Sequence, residues 1–359
     1  MTNLSDLPIR DSLKGREPYG APQLHVPVAL NVNENTHRIP EVVAVDIIGR
    51  IAAQVLEINR YPDREFMSLR QALAGYLGHD LAAEQLWAAN GSNEVIQQIF
   101  QAFGGPGRKA LGFGPTYSMY SIIARGADTD YVDAPRGDRY ELDVETALAG
   151  MKANQPNITL VCSPNNPTGT PVSLEVIKAI YDATEGIVVV DEAYAEFAAD
   201  GTESALTLLE GRPRLMVSRT MSKAFAFAGA RVGYLAADAA VVDALRLVRL
   251  PYHLSAFTQA AAEAALAHAP LMLEAVADIR VQRDRIVTEL RDMGLDAYRS
   301  DSNFVLFGGL ENPDDVWQQL LDRGVLVRNV GIANTLRVSA GTQTETDKFL
   351  TSLREVLHG

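Results

Sequence analysis

From Leu86 to Ala237 the chain alternates short apolar, β-branched runs with stretches whose apolar positions recur three and four apart. Runs of the first kind read as strands and stretches of the second as helices, so the alternation predicts repeated strand-helix units around a largely parallel sheet, an α/β class. The predicted strands are Leu86 to Ala89, Lys109 to Phe113, Thr159 to Cys162, Ile187 to Val190, Leu215 to Ser218 and Val232 to Ala236. After the first of them, Val95, Ile96, Ile99, Phe100 and Phe103 mark one helix face, with Gly91 or Ser92 at its cap.

Further on, Ser255 to His268 is an Ala-rich helical pattern that Pro270 should end or kink. The next helix carries Val276, Ile279, Ile286, Leu290 and Met293 on one face, interrupted by Arg283 and stopped by Gly294. Strand-like Asn303 to Phe307, a helix around Asp314 to Arg323, strand-like Val325 to Arg328 and Leu336 to Ser339, and a helix from Glu345 complete a smaller α+β unit. The expected division is an N-terminal arm over 1–30, a large domain over 31–260 and a small domain over 261–359.

Composition narrows the function classes. The 359 residues suffice for about two domains with a developed core. The 45 acidic against 32 basic side chains leave a net charge of −13 with no Lys/Arg cluster, which disfavours a nucleic-acid partner. Cys162 is the only cysteine, so an intrachain disulfide and a multi-cysteine zinc site are excluded, and a reducing, cytoplasmic setting is expected. The first twenty residues lack the unbroken apolar stretch of a secretory signal, and no apolar run approaches the length of a membrane span, so no membrane partner is expected. The six histidines show no HExxH spacing and no Gly-rich Lys-Ser/Thr loop occurs, which disfavours a zinc hydrolase and a nucleotide enzyme, and no metal is expected.

Four segments place polar residues where predicted strands end, the usual position of ligands in an open α/β sheet. GSNE at 91–94 is a glycine turn entering a helix, which is either a plain cap or an anion site. SPNNPTG at 163–169 is a rigid turn able to aim Asn166 above the sheet. VVVDEAY at 188–194 ends a buried-looking strand in Asp191, either a helix cap or the partner of a buried cation. SRTMSKAFAFAGARVGY at 218–234 sets Lys223 among small and apolar residues, where desolvation would lower its pKa as a Schiff-base lysine requires. Arg231 there could clamp a phosphate or pair with a carboxylate.

In chain order these segments resemble the fold-type I pyridoxal-phosphate aminotransferases, over nearly the whole chain. YGAPQL at 19–24, NENT at 33–36, NRYPD at 59–63 and RTMSKAFAFAGARVGY are similar to the histidinol-phosphate aminotransferase family, its actinobacterial branch in particular. The resemblance implies a large domain with a mostly parallel sheet plus a smaller α+β domain, and pyridoxal 5'-phosphate as cofactor. It implies that Lys223 holds the cofactor covalently and moves the substrate proton, that Asp191 keeps the ring nitrogen protonated, and that Asn166 and Tyr194 hydrogen-bond the ring oxygen. Tyr117 would stack on the ring. Ser92, Asn93, Thr220, Ser222 and Arg231 would hold the phosphate, joined by Tyr61 from a neighbouring subunit, which implies a homodimer with a shared site. Arg337 and Arg328 would meet the substrate's anionic group, with Tyr19 and Asn33 on a lid. Thr36 departs from the proline usual after Asn-Glu-Asn and predicts a less rigid lid turn. The implied reaction is transamination of L-histidinol phosphate with 2-oxoglutarate in histidine biosynthesis. An aromatic amino acid aminotransferase, a pyridoxal-phosphate decarboxylase and an effector-sensing regulator domain are the competing readings.

Overall fold

The computed structural model describes residues 3–358. Its strands are β1 Val28–Ala29, β2 Leu86–Ala89, β3 Lys109–Gly114, β4 Asp130–Pro135, β5 Ile158–Cys162, β6 Ile187–Asp191, β7 Leu215–Thr220, β8 Gly233–Ala237, β9 Asp296–Ala297, β10 Phe304–Gly308, β11 Val325–Leu326 and β12 Leu336–Ser339. Its helices are α1 Glu41–Val55, α2 Met67–Leu77, α3 Ser92–Phe103, α4 Met119–Gly126, α5 Val144–Asn154, α6 Leu174–Asp182, α7 Ala239–Val248, α8 Ala256–Ala267, α9 Ala269–Asp292, α10 Pro313–Asp322 and α11 Gln343–His358.

Seven strands form one sheet in the order β2-β8-β7-β6-β5-β3-β4. All neighbours run parallel except β8, which is antiparallel to both β2 and β7. Strands β2, β5 and β8 are buried at every position, as expected for strands covered on both faces. From β3 the chain moves outward to β4, then returns to start β5 on the other side of β3 and continues through β6 and β7. The loops after β3 and β5 therefore diverge and leave a crevice at the carboxyl ends of the strands, the point where such sheets bind ligands.

The predicted strands all form, with ends shifted by at most two residues, and β4 is an additional edge strand. The strand expected over Val325 to Arg328 ends at Leu326, because Arg328 joins Arg337 in an isolated bridge rather than a ladder. The break expected near Pro270 is a 74° bend between α8 and α9. Pro270 sits in the first turn of α9, where its missing N–H costs nothing. Arg283 is buried on α9 and donates to the Phe197 and Ser302 carbonyls, 2.8 and 3.3 Å away, which explains a charge amid an apolar face.

The smaller unit is an antiparallel sheet β12-β10-β9. Beside it, β1 from near the start of the chain pairs in parallel with β11 as a separate two-stranded sheet, and the Leu30 carbonyl accepts from Ser339 N at 2.9 Å. No single helix among the described residues is long and apolar enough to cross a membrane.

Candidate active site

A cavity of about 370 Å³ opens at the carboxyl ends of the central strands, and every site residue named from the sequence lines it except Tyr61. At one end β2 runs into α3 through Gly91, which adopts φ +88° and caps the helix. A side chain at Gly91 would place Cβ 2.5 Å from Arg231 Nη2, and one at Gly233 would meet Ser92 N at 2.0 Å. Only glycine at both positions lets β8, the start of α3 and the Arg231 guanidinium come together. Arg231 finds no carboxylate partner among the described residues and donates to Ser222 Oγ (3.4 Å) and the Ala228 carbonyl (3.0 Å). With Thr220, Ser222 and the free N–H groups of α3 on the same wall, this end suits a phosphate dianion.

Asp191 ends β6 at the cavity floor, 2% exposed. It caps no helix, contrary to one reading of its motif. Burial pushes its carboxyl up to about 6, against the pull of the Tyr120 hydroxyl, which donates to Oδ2 at 2.7 Å. Its Oδ1 is buried with no partner among the described residues, a cost that a protonated ring nitrogen would remove.

Lys223 follows β7, and its Nζ donates to the Val32 carbonyl at 3.1 Å. Burial, and next the Arg337 guanidinium, pull its amine down to about 8, with Glu34 opposing them. The desolvation inferred from its small and apolar flanks is therefore present. Tyr117 lines the cavity, gives its hydroxyl to Asn93 Oδ1 (3.1 Å) and meets Tyr120 edge to face at 5.5 Å.

The rigid turn after β5 is held from within. Asn165 Nδ2 donates to the Pro115 carbonyl and to Thr168 Oγ1, while its Oδ1 accepts from Thr116, so the neighbouring Asn166 faces the cavity. Asn166 Oδ1 accepts from Arg337 Nη1 at 2.6 Å, and Arg337 Nη2 reaches the Asn31 carbonyl at 2.8 Å. Arg337 and Arg328 exchange backbone hydrogen bonds of 2.9 Å, which brings both guanidinium side chains to the cavity that Lys223 lines. Burial lowers Arg337 to about 10, so it remains a cation at neutral pH.

Tyr19 and Asn33 line the cavity from the N-terminal segment, but Asn33 is 2% exposed and engaged with Tyr194 and Ser339. Thr36 Oγ1 accepts from Thr342 N at 3.1 Å, an N–H that also reaches Glu345 Oε2 at 2.8 Å. Tyr61 is not brought to the site within this chain; it is 80% exposed and stacks on Tyr252 with ring centroids 4.4 Å apart. Sequence reasoning missed Tyr120, although it lies one helical turn after Tyr117, and missed Ser339.

The donor set of a phosphate cradle, a desolvated amine, and an orphaned carboxylate oxygen fits a molecule with an anionic ester, a carbonyl and a protonatable ring nitrogen. The comparisons agree with that fit. Residues 26–353 match the model of the family described as aminotransferase class I and II. The chain is 61% identical over 362 residues to the histidinol-phosphate aminotransferase of Paenarthrobacter aurescens (strain TC1), covering 100% of this chain and 97% of that one. It is 55% identical to the enzyme of the same name from Thermobifida fusca (strain YX), covering 98% and 96%. The fold is similar to the crystal structure of histidinol-phosphate aminotransferase from Sinorhizobium meliloti in complex with pyridoxal-5'-phosphate, with TM-score 0.85 and 26% identity over 92% of this chain and 91% of that one. Aspartate aminotransferase from Thermus thermophilus, at 23% identity and TM-score 0.80 over 92% of both chains, shares the fold. The chain belongs to the class I and II aminotransferase family, within its histidinol-phosphate aminotransferase branch.

Proposed function

We propose that this protein is a pyridoxal-phosphate enzyme that transfers the amino group between L-histidinol phosphate and 2-oxoglutarate, giving imidazole acetol phosphate and L-glutamate, as a step of histidine biosynthesis. The observation that carries the proposal is the 61% identity to a histidinol-phosphate aminotransferase across the full chain. The geometry supports it, because Arg328 and Arg337 share the cavity with the lysine in addition to Arg231, and suit a phosphate monoester better than a single cation would.

Bound in this cavity, the cofactor's protonated ring supplies an electron sink for the pair left when the substrate Cα–H bond breaks. Each residue then has a physical task. Arg231, Ser222, Thr220 and the amides at Ser92 and Asn93 hold the phosphate end. Asp191, whose Oδ1 is unpaired, would gain in the ring N–H a partner for its buried charge and so stay ionised. Lys223 Nζ, whose free amine burial pulls down to about 8, would take up the Cα proton. Tyr117 would cover a ring face, Tyr194 and Asn166 would hold the ring oxygen, and Arg337 with Arg328 would orient the substrate anion. Tyr19 and Asn33 close the arm side.

We further infer a homodimer. Along α1 and the segment after it, Val45, Ile48, Val55, Leu56 and Ile58 are exposed, and so are Leu247 and Leu250, close in sequence to the Tyr252 that stacks on Tyr61. So large an apolar face is characteristic of a protein interface, and a second copy seated on it would carry Tyr61 toward a neighbouring site. A cytoplasmic location completes this reading, with the chain dividing at the bend after α8 rather than at residue 260, which lies inside that helix.

The test compares kcat/KM for histidinol phosphate and phenylalanine with 2-oxoglutarate as acceptor. A clear preference for histidinol phosphate is expected, and preference for phenylalanine overturns the substrate. Sedimentation of the wild type should give a dimer and of Leu56→Glu a monomer; a monomeric wild type overturns the shared site.

A further inference from the structure

The hydrogen bonds behind Tyr194 have a direction that the chemistry of their ends dictates. Asn33 backbone N–H donates to Ser339 Oγ at 3.0 Å, and a backbone amide can only donate. The serine hydroxyl must therefore spend its own proton elsewhere, and Asn33 Oδ1 accepts it at 3.1 Å. With Oδ1 turned toward Ser339, Asn33 Nδ2 points at the Tyr194 hydroxyl, 3.0 Å away, and donates to it. On the other flank the Arg337 guanidinium, which also can only donate, holds Asn166 Oδ1 at 2.6 Å. That turns Asn166 Nδ2 toward the same hydroxyl at 3.4 Å. Both amides thus present N–H to Tyr194, whose own proton remains free for the cavity.

We infer that Ser339 is a positioning residue: by orienting the Asn33 amide it compels Tyr194 to donate, rather than accept, at the cofactor's ring oxygen. Arg337 and Ser339 lie two residues apart on β12, so side chains on one face of one strand fix both flanks of Tyr194. Ser339, Asn33 and Tyr194 are 1%, 2% and 4% exposed, which shields the chain of bonds from competing water. Asn33 is further pinned through its carbonyl, which accepts from Asn303 Nδ2 at 3.0 Å. Without the serine hydroxyl, the amide gains by rotating and presenting Oδ1 to Tyr194, which captures the phenolic proton. The inference rests on the placement of Tyr194 against the cofactor's ring oxygen.

The experiment uses the holoenzyme and reads the pH midpoint of the visible band of the Lys223-bound cofactor. Other charges and titrating groups around these residues are Arg337, Arg231 and Glu34 facing Lys223, and Tyr117, Cys162 and Arg337 facing Tyr194, and all are left intact. A donor at the ring oxygen stabilises the oxyanion and lowers the midpoint, so Ser339→Ala should raise it by about one pH unit. Ser339→Thr, which keeps the hydroxyl, should return it to the wild-type value. Asn33→Gly, compatible with the φ of +57° at that position, removes the amide that would rotate. Combined with Ser339→Ala it should cancel the shift rather than add to it. A wild-type midpoint in cofactor-loaded Ser339→Ala, an equal shift in Ser339→Thr, or additive shifts in the double variant would overturn the inference. Should Ser339→Ala not fold, the midpoint in Asn33→Gly against that in Ser339→Thr decides: both should match the wild type, and a rise of about one pH unit in either overturns it. Tyr194→Phe separates the two levels: an unmoved midpoint there sinks the placement of Tyr194 itself.

Discussion

The burial of Lys223 makes a quantitative claim about how fast the cofactor is captured. An amine lowered to about 8 is about a quarter neutral at pH 7.5, whereas a solvated lysine near 10.5 is about one part in a thousand neutral, a difference of roughly two hundredfold. Only the neutral amine attacks a carbonyl, so the rate at which apoprotein develops a visible band with added pyridoxal phosphate should rise with pH and level off with a midpoint near 8. Arg337→Gln removes the largest charge contribution to that lowering and should move the midpoint up; Glu34→Gln removes the opposing charge and should move it down. The same burial bears on stability. Because the folded pKa lies below the unfolded one, the charged lysine opposes folding below about pH 8, and the penalty is relieved as pH rises toward 10.5. Lys223→Met apoprotein should thus be more stable than wild type at pH 7, by at most about 3 kcal/mol, and lose that advantage at alkaline pH. A capture midpoint near 10, or shifts of the wrong sign in the two charge variants, would refute the account.

Three further outcomes follow from the site. Lys223→Ala should lose the visible band and turnover while keeping the wild-type circular dichroism; retained turnover would reject the whole assignment. Asp191→Asn should keep cofactor in equilibrium dialysis yet lose about a hundredfold or more in kcat, since a neutral amide cannot hold the ring nitrogen cationic. Gly91→Ala, which sets a methyl 2.5 Å from Arg231 Nη2 at a φ of +88°, should weaken cofactor affinity about tenfold or more with little change in kcat at saturation.

What the sequence disclosed follows from where information is local. Strands such as β5 and β6 are buried apolar runs, and their pattern needs no partner to be read. The edge strand β4, Asp130 to Pro135, escaped because its charged and exposed positions blur any pattern. The same contrast divides the site. Lys223, Asp191 and Asn166 stand in short motifs at strand ends, and a family resemblance carries them together. Tyr120 acquires its task from Asp191, 71 positions away, and Ser339 from Asn33, 306 positions away. Nothing within a few residues of either announces the partner. The contact between Thr36 and Thr342 is equally distant in sequence.

The pairing of Val28 and Ala29 with Val325 and Leu326 has a cost in time. Ribosomes add roughly 5–20 residues each second, so the early segment waits on the order of half a minute before its partner strand has been made. Until then the seven-stranded sheet can form, but the wall of the cavity that carries Asn31 and Asn33 lacks both β11 and Arg337 to close against. A nascent chain arrested before residue 325 should therefore hold a packed sheet with an open catalytic crevice, and vitamin capture would be among the last events of its maturation.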